Sequence, residues 1–180
     1  MSTKPFQIVK VTAWLWNPVT ETYGTGFDLQ QPNMLTDTPI YDNDESRSKG
    51  TQVDTLNVLV GRDLTLGFGG IDDVGFSKLK GNNGNAYYDD TGGDDTPYFG
   101  LAVALKLKGG KERHHYYPLV QAQGDIEVSV GVNNEFNDVE LEMRAMTLET
   151  ADGTQYTIRK YEIVAADTAF TDIGTKIGLS

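Results

Sequence analysis

Residues 139–146 read VELEMRAM, and this alternation constrains the fold more than any other feature of the chain. Val139, Leu141, Met143 and Ala145 take one side, and Glu140, Glu142, Arg144 and Met146 the other. A helix turns every 3.6 or so residues and scatters such a pattern, whereas a strand repeats every two. The same period recurs along the sequence. QIVKVTAWLW sets Ile8, Lys10, Thr12 and Trp14 against Val9, Val11, Ala13 and Leu15. TLNVLVGRDLTLGFGG reads as a strand pair with Leu64, Leu66 and Phe68 on one face. LAVALKLK, HHYYPLVQ, DIEVSVGV and TQYTIRKYEIV complete the series, and the KGGK step between the first two is a hairpin turn, where glycine accepts positive φ. The expected class is mainly β, an antiparallel arrangement of many strands.

One segment breaks the period. In GIDDVGFSKLKG, residues 70–81, Ile71, Val74, Gly75 and Leu79 recur at helical spacing over 71–80, with Asp72 and Asp73 at the start and Lys78 and Lys80 at the end, an order that suits the helix dipole. A single short flanking helix is expected there. Three polar segments separate or end these elements: a protruding loop at residues 41–52, an insertion at 82–97, and a C-terminal arm at 165–180. In the arm, Phe170, Ile173, Ile177 and Leu179 are sparse apolar anchors that must dock on the chain's own body or on a neighbour. Residues 1–164 are expected to form one domain, a length that suits a single core.

Charge and composition exclude several roles. Twenty-six acidic residues stand against 15 basic ones, a formal net charge of −11, which disfavours binding to nucleic-acid phosphates. Without cysteine there is no disulfide, thiolate metal site or cysteine nucleophile. The first residues carry no apolar run long enough for a signal peptide, and no segment approaches the roughly 20 apolar residues of a membrane span, so a soluble chain folded in a cytoplasm, with no membrane insertion, is expected.

Candidate sites compete with plainer structural roles. His114 and His115 are adjacent on a strand and point to opposite faces, so they do not share a metal; they are expected on a sheet edge or at an interface. Asp89, Asp90, Asp94 and Asp95 offer carboxylate oxygens of the kind calcium takes, without the spacing of an EF-hand. Glu127, Glu140 and Glu142 lie on polar strand faces, where a glycosidase would pair carboxylates and a solvated sheet would place them anyway. Trp14 and Trp16 share a face, either as a ligand platform or as core. The sequence has no G-x-S-x-G and no phosphate-binding glycine loop. No enzyme, metal or cofactor is expected.

The order of these parts resembles the major tail proteins, or tail tube proteins, of long-tailed (siphovirus-type) bacteriophages. The resemblance rests on PIYDNDESRSKGTQVDTLNVLVGRDLTLGFGGIDDVGFSKLKG followed by YFGLAVALKLKGGKERHHYYPLVQAQGDIEVSVGVNNEFNDVELEMRAM, and covers roughly residues 35–155. Tyr41-Asp42 opens the polar loop, Leu79-Lys80-Gly81 closes the helix, Pro97 to Ala102 start a strand, and Tyr116 to Pro118 return after the Gly109-Gly110 turn. The residues before position 35 depart from the family pattern. The resemblance implies a β-sandwich or half-barrel with one flanking helix. It implies six copies in a ring and rings stacked into a tube that carries genome DNA into the host. Tape-measure, tail-terminator and distal tail proteins would be its partners, and the virion tail, assembled in the host cytoplasm, its place. Tyr41, Asp42, Asn43, Asp44, Glu45, Arg47 and Lys49 would reach the next ring, the C-terminal arm would lock adjacent subunits, and Glu127, Glu140 and Glu142 would face the lumen. The alternative reading is a non-catalytic carbohydrate-binding β-sandwich using Trp14, Trp16 and calcium on the aspartate segment.

Overall fold

A computed structural model describes residues 5–48, 51–70, 73–79, 81, 96–123, 127–128 and 139–179. The chain is mainly antiparallel β. One sheet runs through β2 (Thr22–Tyr23), β1 (Pro5–Asn17), β6 (Tyr98–Leu107), β7 (Lys111–Ala122), β9 (Val139–Met146), β5 (Thr51–Phe68) and β4 (Pro32–Ser48). Beside this path, β3 (Phe27–Leu29) pairs with β1, β8 (Glu127–Val128) with β9, and β12 (Lys160–Ala165) with β7. A small hairpin of β10 (Leu148–Glu149) and β11 (Gln155–Tyr156) lies apart. Two short helices, α1 (Asp73–Leu79) and α2 (Ile173–Ile177), complete the described elements.

The sheet is open rather than a closed barrel, and it curves over its own core. Side chains from β1, β5, β6, β7 and β9 meet in one cluster that includes Val11, Leu66, Phe68, Leu101, Val103, Tyr117, Val120 and Leu141. Phe76 and Leu79 of α1 close one end; the Phe76 ring meets Phe68 edge-to-face at 5.1 Å. Val74 is exposed, against expectation, because Phe76 and Leu79, three residues apart, take the core-facing side and Val74 is turned about 200° from Phe76. Ile71, Asp72 and Lys80 lie outside the described residues.

The β9 pattern holds as expected, with Val139, Leu141, Met143 and Ala145 inside. The KGGK turn also forms, with φ of 103° at Gly109 and 76° at Gly110. Four local expectations are corrected. In β1 a register shift between Ile8 and Lys10 breaks the alternation, so Ile8 joins Val11 and Ala13 in the core and Val9 is exposed. The segment read as a strand pair is the single strand β5. Residues 41–52 are not a loop: β4 continues to Ser48 and β5 starts at Thr51, so the two strands form a long ribbon whose ladder pairs backbone groups through a stretch of polar sequence. The C-terminal arm holds a second helix. Asp172 caps α2 by accepting from the Gly174 and Thr175 N–H groups, and Gly178 (φ 88°) ends it, so capping at both ends sustains a five-residue helix that periodicity does not reveal.

β7 forks the sheet. Its residues 111–116 pair with β12 and its residues 119–122 with β9. Pro118, which has no N–H to offer, stands where the neighbour changes. His114 and His115 therefore sit on an interior strand, both buried, and not at a sheet edge.

Candidate functional site

Four features stand out: two polar networks on opposite faces of β7, an outward polar face on β9, and the β4–β5 ribbon. The first network centres on Asp37 of β4. Its carboxylate accepts from Arg62 Nε, from the Tyr117 hydroxyl at 2.8 Å and from Arg159 at 2.9 Å. Burial pushes the Asp37 carboxyl up, but the hydrogen bonds from Arg62 and Tyr117 and the charges of Arg62 and Arg159 outweigh it and hold it below its ordinary value. Burial, then the charge of Asp37, pushes the Tyr117 phenol well up. His115 lies beside them, its Nδ1 3.4 Å from the Tyr117 hydroxyl. Burial and the positive charge of Arg159 hold its imidazole down at about 4.

That depressed value makes a prediction. The unfolded chain takes up the His115 proton near 6.5 and the folded chain only near 4, so protons favour unfolding between these values. Thermal stability is expected to fall as pH drops from 6.5 to 4, and to fall less steeply in His115→Gln; an unchanged slope in that variant would show that the window belongs to other groups.

The second network lies under the C-terminal arm. Glu112 accepts from the Asp167 N–H at 2.9 Å and sits 3.0 Å from His114 Nε2. The Tyr116 hydroxyl donates to Glu162 at 3.1 Å, and Lys176 Nζ lies 2.7 Å from the same carboxylate oxygen. Lys176, helped by the Tyr116 hydroxyl, outweighs the opposing effect of partial burial and sets the Glu162 carboxyl below its usual value. The arm docks on its own chain: Phe170 stacks 4.5 Å from the His114 ring and 6.5 Å from Trp14, Ile173 is fully buried with Tyr116 and Ala102, Ile177 packs beside them, and Leu179 is half-buried. β6 makes room by presenting Gly100, Ala102 and Ala104 on this side. Trp14 is buried here and Trp16 is buried against Tyr23, so of the two readings of the pair, ligand platform or core, it is core.

Of the expected lumen residues, Glu140 and Glu142 are exposed on the outer face of β9. Glu142 is opposite Thr65, and Arg144 bridges to Asp63 at 3.0 Å. The carboxylates on this face, Asp63, Glu140 and Glu142, outnumber the guanidinium of Arg144 by three to one, a net of −2 among the described side chains. The Glu127 backbone pairs with Glu140; its side chain lies outside the described residues. Tyr41 and Asp42 are exposed on the ribbon. Asn43, Asp44, Glu45 and Arg47 belong to β4 by backbone, but their side chains lie outside the described residues, as do Lys49 and the four aspartates considered for calcium.

Neither polar network was signalled by local sequence. Asp37, Arg62, Tyr117, Arg159, Glu112 and Glu162 meet only through pairing of distant strands.

No family model matches the chain, and no curated protein matches it. Among solved structures it is similar to a chain of the cryo-EM structure of the anti-feeding prophage (AFP) baseplate, 6-fold symmetrised, at 13% identity and a TM-score of 0.49, covering 93% of this chain and 100% of that one. A likeness at this level assigns neither fold nor role to the present chain.

Proposed function

We propose that copies of this chain assemble into the tube of a phage-type tail, in stacked rings, and that the tube conducts genome DNA. The observation that carries the reading is the β4–β5 ribbon. Only residues 62–68 of β5 pair with β9; the remainder, residues 51–61, has β4 as its sole strand neighbour among the described residues. Ten residue steps at strand rise make a projection of roughly 30 Å. A lone two-stranded ribbon is marginal in water. This one exposes Tyr41, Val58, Leu59 and Val60 at 54%, 46%, 37% and 46%. Apolar side chains on an unsupported ribbon favour a partner that covers them, and the outer side of β4 pairs with no other strand among the described residues. The sequence resemblance supplies the identity of that partner as a second copy. The acidic outer face of β5 and β9 suits a conduit that phosphates pass without sticking.

Negative-stain electron microscopy of the concentrated protein tests this directly, with rings or hollow tubes as the expected result. The double variant Leu59→Asp, Val60→Asp, altered at exposed positions, should keep the parent's circular dichroism and melting temperature and lose assembly. Tubes formed as readily by the folded double variant would remove the ribbon as the carrier. A parent that stays monomeric both alone and when added to purified tails would overturn the reading itself. For the lumen assignment, Glu140→Lys with Glu142→Lys should slow DNA passage; unaltered delivery would place those glutamates elsewhere.

A further inference from the structure

Positive charge gathers around His115 in a chain whose net charge is −11. The charges acting on this imidazole are three guanidiniums, Arg159, Arg113 and Arg62, and one carboxylate, Asp37. Three minus one leaves a local excess of +2. Asp37 is already held by Arg62, Arg159 and the Tyr117 hydroxyl. Two buried nitrogens remain over: Arg113 Nε and His115 Nε2 have no hydrogen-bond partner. Buried polar groups are nearly always satisfied, and a particular exception calls for an unplaced partner.

The cover over this cluster is slight. Tyr161 of β12 is opposite His115 in the ladder, and its ring lies 5.9 Å from the imidazole, 5.5 Å from the Arg113 guanidinium carbon and 5.8 Å from that of Arg159. The ring is 56% exposed, on a strand whose outer edge meets no other described strand. The exposed Tyr161 ring thus lies against the buried imidazole and beside two arginines that are only partly buried.

We propose that Arg113, Arg159 and His115 form a binding site for an oxyanion, a carboxylate or a phosphate group, with Tyr161 as its lid. The two guanidiniums grip the oxygens from either side of the displaced ring. The Tyr117 hydroxyl donates its hydrogen bond to the Asp37 carboxylate and so accepts from His115 Nδ1–H, which leaves Nε2 with a lone pair. Burial first and the arginine charges second keep this imidazole neutral, and an arriving anion offsets the second of these. His115 Nε2 then takes a proton from solvent and donates it in a hydrogen bond to the anion, so binding and proton uptake are coupled. The site stands or falls without the tube reading.

Long-range nitrogen NMR of the two histidines in the full chain tests it, with sodium phosphate and sodium acetate titrated separately at constant ionic strength. Either anion is expected to move the His115 Nε2 signal toward imidazolium and to raise its apparent pKa by about one unit or more. His114, on the opposite face of β7, is the internal control and should stay still. Response to acetate alone assigns a carboxylate ligand, response to phosphate alone a phosphate, and response to both the shared chemistry; each supports the site. Arg113→Gln should weaken binding at least about tenfold. Tyr161→Ala, at an exposed position, should leave the fold intact and bind as well or better. A His115 signal that ignores both anions up to tens of millimolar, in the parent and in Tyr161→Ala, overturns the proposal. So does a folded Arg113→Gln protein that responds like the parent.

Discussion

Asp37→Ala is expected to cost about 3–5 kcal/mol of folding stability, the range for removing one partner of a buried ion pair. The reason is what the aspartate leaves behind. Arg62 has a side chain only 10% exposed, and Asp37 itself only 12%, so solvent cannot replace the lost carboxylate. The Tyr117 hydroxyl, fully buried, loses its acceptor at the same time, and Arg159 loses its partner at the more exposed rim. Three elements, β4, β5 and β7, come apart at one point. Asp37→Asn keeps an acceptor for Tyr117 and should cost less than the alanine variant. The pH dependence has a fixed sign. The carboxyl is lowered in the folded state from its ordinary 3.8, so its contribution is complete above that value and is lost as pH falls through the lower folded one. Urea unfolding of the parent, Asp37→Asn and Asp37→Ala near neutral pH gives the ranking. An alanine variant within about 1 kcal/mol of the parent would mean that water or a rearranged arginine replaces the carboxylate, and that the network is not a stabilising centre.

What the sequence made legible follows from how far each signal reaches. The strands of the core show because alternation is local: Val139 to Ala145 and the Gly109-Gly110 turn each declare themselves within a few residues. The bulge in β1 defeats that rule, since one extra residue swaps the faces of everything on one side of it, and strict alternation therefore puts Ile8 on the wrong face. The ribbon tip is hidden differently. DNDESRSKGTQ is polar throughout, so nothing in its side chains marks a strand, and the pairing is inherited from the apolar stem below it. The Asp37 network has no local signature whatever: its three partners are 25, 80 and 122 residues away. The histidine pair points to opposite faces as strand geometry predicts, yet its burial depends on β12 arriving from 46 residues downstream, as the Tyr116–Glu162 contact does.

The docked arm yields the second large effect, and a test of how it is docked. Ile173 is fully buried, and a Cβ placed on Gly100 would come within 2.7 Å of Ile173 Cδ1 and 2.9 Å of the Tyr23 ring. The isoleucine occupies the notch that the glycine leaves. Ile173→Ala should therefore cost about 2–5 kcal/mol, the range for emptying a buried aliphatic site. Gly100→Ala should cost about 1–3 kcal/mol by overpacking the same notch. The two losses should not add. In the double variant the new methyl enters space vacated by the isoleucine, and a favourable coupling of about 0.5–3 kcal/mol is expected for groups in contact. The Tyr23 ring still crowds that methyl, which keeps the double variant below the parent. If the losses simply sum, Ile173 and Gly100 do not touch in solution and the arm is not seated on its own sheet. The same cycle repeated on assembled protein asks whether the arm leaves its notch when copies associate. A coupling that survives assembly keeps Ile173 in a Gly100 notch, and one that vanishes shows the notch emptied by polymerisation.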